Sequence, residues 1–90
     1  MEILINELSK DKFEIEIKAE QQSKHFVSLS DKTHLNLSSN KISKKDLIEF
    51  SFLFLLERES NTAILSTFEL IDISKYFPEY LNKVKTYCEA

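Results

Sequence analysis

From Phe13 to Ala19 apolar and polar residues alternate, with Phe13, Ile15 and Ile17 set against Glu14, Glu16 and Lys18. Period two marks a strand with one buried face. Met1 to Leu8 places Ile3 and Ile5 on one face and predicts a strand before it. The polar run Ser9-Lys10-Asp11-Lys12 joins the two as an antiparallel hairpin. Glu20 to Lys24 reads as a second polar connection. His25 to Leu29 reads as a third strand, with Val27 and Leu29 on one face and Phe26 and Ser28 on the other. A meander of three strands with one solvated face follows. Ser30-Asp31 suits either the cap of a short helix through Leu35 or a strand continuing to Leu37. Both alternatives put Leu35 and Leu37 in the core.

The pattern changes at Ser43. Ser43 is a good N-cap, and Asp46 three residues on supplies an acidic capping box near the positive end of the helix dipole. The stretch Ser43 to Glu59 predicts the central helix. At about 100° per residue, Leu47, Phe50 and Phe54 line one side, flanked by Ile48 and Leu55, while Phe52, Leu53 and Leu56 fall opposite. A helix that is apolar all round is buried all round. Ser60-Asn61 punctuates. A short helix from Thr62 to Thr67 would present Ile64, Leu65 and Phe68, and another from Leu70 to Phe77 would present Leu70, Ile73 and Phe77. Phe77 precedes Pro78, which disfavours further helix there. Pro78 suits the first position of a final helix, with Tyr80, Leu81, Val84 and Cys88 inward and Lys83 and Lys85 outward.

The predicted fold class is α+β: a three-stranded antiparallel sheet followed by a long central helix and two or three short helices, in a single domain over 1–90. So small a domain buries only roughly 60–65% of its unfolded surface. One small sheet and short helices barely cover two opposite faces of the central helix. That shortage predicts a homodimer burying Phe52, Leu53 and Leu56.

Composition narrows the chemistry. Gly is absent, where average usage of about 7% would give roughly six. Positive φ must then be avoided or taken by Asn and Asp. The glycine-rich phosphate cradles and the glycine-flanked nucleophile elbow are excluded. The single cysteine, Cys88, rules out an internal disulfide and reads as a helix-packing residue. The chain opens without a secretion signal, and its longest apolar run, Phe52 to Leu56, falls far short of the 18 or so residues of a membrane span. A cytoplasmic protein without membrane contact is expected.

The net charge of −3 is unevenly spread. Residues 21–45 carry +4 and residues 46–72 carry −5, which suits internal or intersubunit pairing at least as well as a polyanion site. Lys41, Lys44 and Lys45 cluster at the start of the central helix, where backbone N–H groups attract anions, and are the phosphate-contact candidates. Tyr76, Phe77 and Tyr80 around Pro78 are candidate partner anchors of the kind interfaces favour; core packing at a helix corner explains the same residues.

Other arrangements have bland readings. His25, Asp31 and His34 are metal-ligand types but match no compact ligand pair and read as surface or satisfied residues. Ser28 or Ser30 with His25 and Asp31 would need a geometry that strand neighbours rarely provide. Glu14 and Glu16 share a strand face and read as solvated. No catalytic, metal or cofactor site is predicted.

Two resemblances add to this. Phe52-Leu53-Phe54-Leu55-Leu56-Glu57-Arg58-Glu59, with Ile64-Leu65, Phe68-Glu69-Leu70, Ile73 and Tyr76-Phe77-Pro78-Glu79-Tyr80, resembles a group of small uncharacterised bacterial proteins. In those a strand-rich start precedes a helical end with a YFPEY-like block. The likeness covers roughly the C-terminal half and implies the architecture without an activity. Strand His25–Leu29, a short turn and SKKDLIEFSFLFLLERE also resemble the ribbon-helix-helix repressors, which dimerise through a strand and helices. The chain departs from them in having only residues 30–42 between strand and helix, and two strands before.

Two functions are therefore expected. The first is a non-enzymatic protein-interaction or accessory module, a homodimer binding another protein through the Tyr76–Tyr80 corner. The alternative is a small ribbon-helix-helix-like regulator contacting DNA through His25–Leu29, Lys41, Lys44 and Lys45.

Overall fold

In the computed structural model, which describes residues 2–89, the alternating stretch becomes an inner strand of an α+β fold. Met1, the first residue of the predicted first strand, lies outside the described residues. The elements are β1 (Glu2–Ser9), β2 (Lys12–Lys18), β3 (Gln22–Ser28), α1 (Asp31–Ser38), α2 (Lys44–Leu56), a 3₁₀ turn at Asn61–Ala63, β4 (Thr67–Glu69), a second 3₁₀ turn at Leu70–Asp72, α3 (Ile73–Tyr76) and α4 (Tyr80–Glu89). The sheet order is β1-β2-β3-β4, the first three antiparallel and β4 parallel to β3. Ile3 pairs with Ile17, Ile5 with Ile15, Phe13 with Val27, and Val27 with Phe68. These residues share the inner face, as cross-strand partners must.

The hairpins are tighter than the polar runs suggest. Ser9 pairs with Lys12, leaving Lys10-Asp11 as the turn, and Gln22 pairs with Lys18, so residues 22–24 are strand rather than connection. Backbone ladders continue through polar residues when the partner strand is already in place.

The predicted three-stranded antiparallel sheet needs a correction. Residues 62–67 do not form a helix; Thr67–Glu69 is a fourth strand, with Phe68 buried and its neighbours exposed. β3 is buried against the core and cannot leave its edge groups unpaired without cost. β4 covers that edge, helped by the Phe26 N–H donating to the Ser66 carbonyl at 2.7 Å.

Ser30 resolves the open alternative in favour of helix, its Oγ accepting the Thr33 N–H at 3.2 Å. Leu35 is not a core residue: it is exposed, whereas Ser38 is buried and His34 and Leu37 are half-buried. With no glycine available, α1 ends through Ser39 at φ 53° and Asn40 at φ 58°. Asn tolerates this region and Ser less so; Ser39 is held there by its N–H bond to the Leu35 carbonyl at 2.8 Å.

α2 starts at the expected cap, Ser43 Oγ accepting the Asp46 N–H at 3.1 Å. It stops at Leu56, short of Glu59. The expectation that it is buried all round fails. Leu47, Ile48, Ser51, Phe52, Phe54 and Leu55 are buried, whereas Lys45, Asp46, Glu49, Leu53 and Glu57 make one wet arc. Phe52 is 0% exposed within its own chain, its ring 5.4 Å from that of His25 and 6.0 Å from that of Phe68. It is therefore withdrawn as a dimer-interface residue. Leu53 is 47% exposed among charged neighbours and Leu56 is half-buried. The cover comes from the same chain, through β4 on one side and α4 on the other.

α4 packs on α2 through Tyr80, which is buried against Ser51 and Phe54, and through Tyr87, which stacks on Phe50 at 4.4 Å, while Val84 is buried in the core. Leu81, expected inward, is exposed. Ser51 donates to the Leu47 carbonyl at 2.7 Å, so the Tyr80 hydroxyl, 2.6 Å away, donates to Ser51 Oγ. The buried residues form one continuous cluster between sheet and helices. Among the described residues no helix is long and apolar enough to cross a membrane.

Burial pushes the Tyr80 phenol up to about 12. The unfolded phenol ionises near 10, so the neutral-phenol contribution is complete below pH 10 and is lost as pH rises toward 12. Denaturant melts should show Tyr80→Phe less stable than wild type by about 0.5–1.5 kcal/mol at pH 7. Between pH 10 and 12 the wild type should lose about 1.4 kcal/mol per pH unit that the variant keeps. Parallel pH profiles for the two proteins refute the burial of this hydroxyl.

Candidate functional site

Residues 61–66 contain little regular structure and are fastened by buried polar side chains. The Asn61 amide donates to the Gln21 carbonyl and to Ser23 Oγ, each at 2.9 Å. His25, buried on β3, sets Nδ1 2.7 Å from the Leu65 carbonyl and Nε2 2.9 Å from Ser23 Oγ. A carbonyl can only accept, so Nδ1 carries a proton, and in the neutral tautomer this leaves Nε2 to accept from the Ser23 hydroxyl. The chain Asn61–Ser23–His25–Leu65 is complete with a neutral imidazole. Satisfied networks of this kind rigidify the backbone they bind.

Held in this way, the segment stands beside the end of α2 and leaves a groove of about 380 Å³. Leu55, Phe68 and Ile73, all buried, form its floor; exposed Leu65 and Tyr76 stand at its rim with half-buried Phe77. Glu59 and Asp72 are the two carboxylates in the lining. Asp72 is already engaged, 3.1 Å from Lys75 Nζ and accepting the Glu69 N–H at 3.3 Å. Glu59 has no ion-pair partner among the described residues. The lining holds no Ser, His or Cys.

The far wall is anchored through Arg58. Its guanidinium lies 3.6 Å over the Phe54 ring, donates to the Phe54 carbonyl at 2.9 Å and meets Glu79 at 3.2 Å. Phe77 sits edge-on to Phe54 at 5.9 Å. The expected anchor trio is thus divided. Tyr76, 66% exposed, and Phe77 face the groove, whereas Tyr80 is 0% exposed and points into the helix packing. Tyr80 is withdrawn as a partner anchor, because its ring fills the space against Ser51 and Phe54.

The lysine cluster is likewise divided. Lys44 Nζ lies 2.8 Å from Asp31 and 3.2 Å from Asp11, and donates to the Lys10 carbonyl at 2.9 Å. Lys10 reaches Asp31 at 2.7 Å. The charge of Lys44 is therefore spent within the chain, and Lys44 is withdrawn as a phosphate contact. Lys41 and Lys45 remain exposed. β3 lies between β2 and β4, so the strand expected to form the repressor ribbon has no free edge with which to pair.

The remaining candidates lie apart. His25 is in the clamp, Asp31 in the lysine pair, and His34 donates Nε2–H to the Ile42 carbonyl at 2.7 Å. Among the described residues no three His, Cys, Asp or Glu side chains converge as a metal site. Glu14 and Glu16 lie on the outer sheet face, Glu14 accepting weakly from Asn6 at 3.5 Å and Glu16 3.9 Å from Lys18. Half-buried Cys88 has its thiol pushed up by burial. The groove and its clamp are what the sequence reading missed. Two signals bore on them: His25 shares face parity with Val27 and Leu29, and Asn61 stands in the break after α2. No protein-family model, curated protein or solved structure matches this chain.

Hydrogen bonds from Lys10 and then Lys44 hold the Asp31 carboxyl down to about 2 from 3.8. Carboxyl chemical shifts should report that midpoint in wild type and a return toward 3.8 in Lys44→Ala. An ordinary Asp31 midpoint in wild type would show that the pairing of Asp31 with Lys10 and Lys44 is not formed.

Proposed function

We propose that this chain is a non-enzymatic protein-interaction module, and that its binding surface is the groove between the end of α2, the clamped 61–66 segment and α3. The observation that carries this reading is an exposed aromatic, Tyr76, set at the rim of an apolar depression whose one unpaired charge is Glu59. Tyrosines at such positions are frequent hot spots, because a large rigid ring excludes water at small entropic cost. The groove suits a short segment of a partner protein. An apolar side chain fills the floor over Leu55, Phe68 and Ile73, and a neighbouring Lys or Arg meets Glu59. The acidic character of residues 46–72 favours a basic partner and raises its rate of encounter. The clamp preorganises the site, which lowers the ordering cost of binding.

Selection from a random peptide library should enrich sequences with a large apolar residue next to Lys or Arg. Tyr76→Ala should weaken their binding roughly tenfold or more. Glu59→Gln should weaken binding less and flatten its dependence on salt. Tyr87→Ala, outside the groove, serves as the control. Failure to enrich any such sequence, or binding indifferent to Tyr76→Ala, removes this reading.

A further inference from the structure

The opposite edge of the sheet carries an independent site. β1 has a neighbour on one side only, so alternate residues turn their N–H and C=O groups outward along Glu2–Ser9. Natural sheets protect such edges with charged side chains, Lys above all, or with Pro, bulges or a covering element. β1 has neither Lys nor Pro, its two charges, Glu2 and Glu7, flank the apolar run Ile3–Ile5, and its irregularity is confined to the Glu7/Ser9 end. Over Glu2–Asn6 the ladder to β2 is regular. Ile3 and Ile5 face inward but are only half-buried at the margin of the core, and Leu4 is half-exposed on the outer face.

We infer that β1 is a self-pairing edge whose partner is β1 of a second copy of this chain, joined antiparallel about a twofold axis normal to the sheet. Directly paired residues must share a face, so only registers that pair odd with odd and even with even are open. One of these matches chemistry to chemistry. Leu4 faces Leu4 of the second copy at the axis, Ile3 faces Ile5 on the inner side, and Glu2 faces Asn6 on the outer side, where a side-chain amide donates to a carboxylate. This register leaves Glu7 outside the five paired residues. Sliding by two residues in one sense sets Glu7 against Ile3 on the inner face; sliding in the other sense shortens the pairing to Glu2–Leu4. The two half-buried isoleucines of each chain then complete each other's cover, and the two sheets become one.

This interface differs from the one expected on α2, and it does not depend on the groove, which adjoins β4 at the other edge of the sheet. Cysteine cross-linking in a Cys88→Ser background tests it. Leu4→Cys should form a disulfide-linked dimer under mild oxidation, because the two side chains meet at the axis. Asn6→Cys should form no disulfide-linked dimer, because it faces Glu2. Sedimentation of the wild type should show a dimer that Leu4→Lys converts to monomer while the circular dichroism spectrum stays unchanged. A wild type that is monomeric at every concentration overturns the inference. So does a folded Leu4→Cys protein that does not cross-link, or equal cross-linking at positions 4 and 6.

Discussion

The structure depends on covering α2. Its buried arc runs from Phe54 through Leu47, Ser51 and Leu55 to Phe52, and half-buried Phe50 and Leu56 at its margins carry it past half the circumference at about 100° per residue. A helix of this kind must be enclosed on adjoining sides, and a chain of ninety residues has little with which to do so. The sheet takes one side, with Phe52 seated between His25 and Phe68. α4 takes another, with Tyr80 between Ser51 and Phe54. Everything after Leu56 serves this enclosure: the chain turns back, lays β4 along the sheet and brings α3 and α4 around the end of the helix.

Running β4 parallel to β3 imposes a second demand. A parallel partner cannot be reached by a tight turn, so the chain crosses from α2 to β4 through residues 57–66, which lack a ladder to hold them. Polar side chains take its place. Asn61 and His25 fasten this crossing to β3 through hydrogen bonds of 2.7–2.9 Å, and among the described residues no buried side-chain polar atom lacks a partner. The groove follows from that solution. The crossing is held beside the end of α2 without filling the space before α3, so apolar floor residues stay within reach of solvent and Tyr76 stands over them. The clamp that stabilises the fold is thus also what shapes the candidate site.

Much of the first half was legible because local signals and tertiary structure agree there. The alternation of Phe13, Ile15 and Ile17 and the cap at Ser43 each act within a few residues, whereas Ser30 suited a cap and a continuing strand equally. The readings that failed needed distant information. Ile64, Leu65 and Phe68 have a spacing that suits a helix, but the bare edge of β3 recruits the segment as extended chain. Tyr76, Phe77 and Tyr80 are equivalent aromatics in sequence. Their division into two at the groove and one in the core depends on where α4 meets α2.

The sequence by itself determined the α+β class, the first three strands and their pairing, the start of the central helix and the absence of glycine-built phosphate sites. Periodicity, capping and residue type act locally and are readable without coordinates. Only the tertiary structure decided the fourth strand, which flank of α2 stays wet, the internal pairing of Lys44 and the closing of the chain around a groove. Each of these turns on what lies opposite a residue across space, and burial and hydrogen bonding are properties of such pairs rather than of positions along a chain.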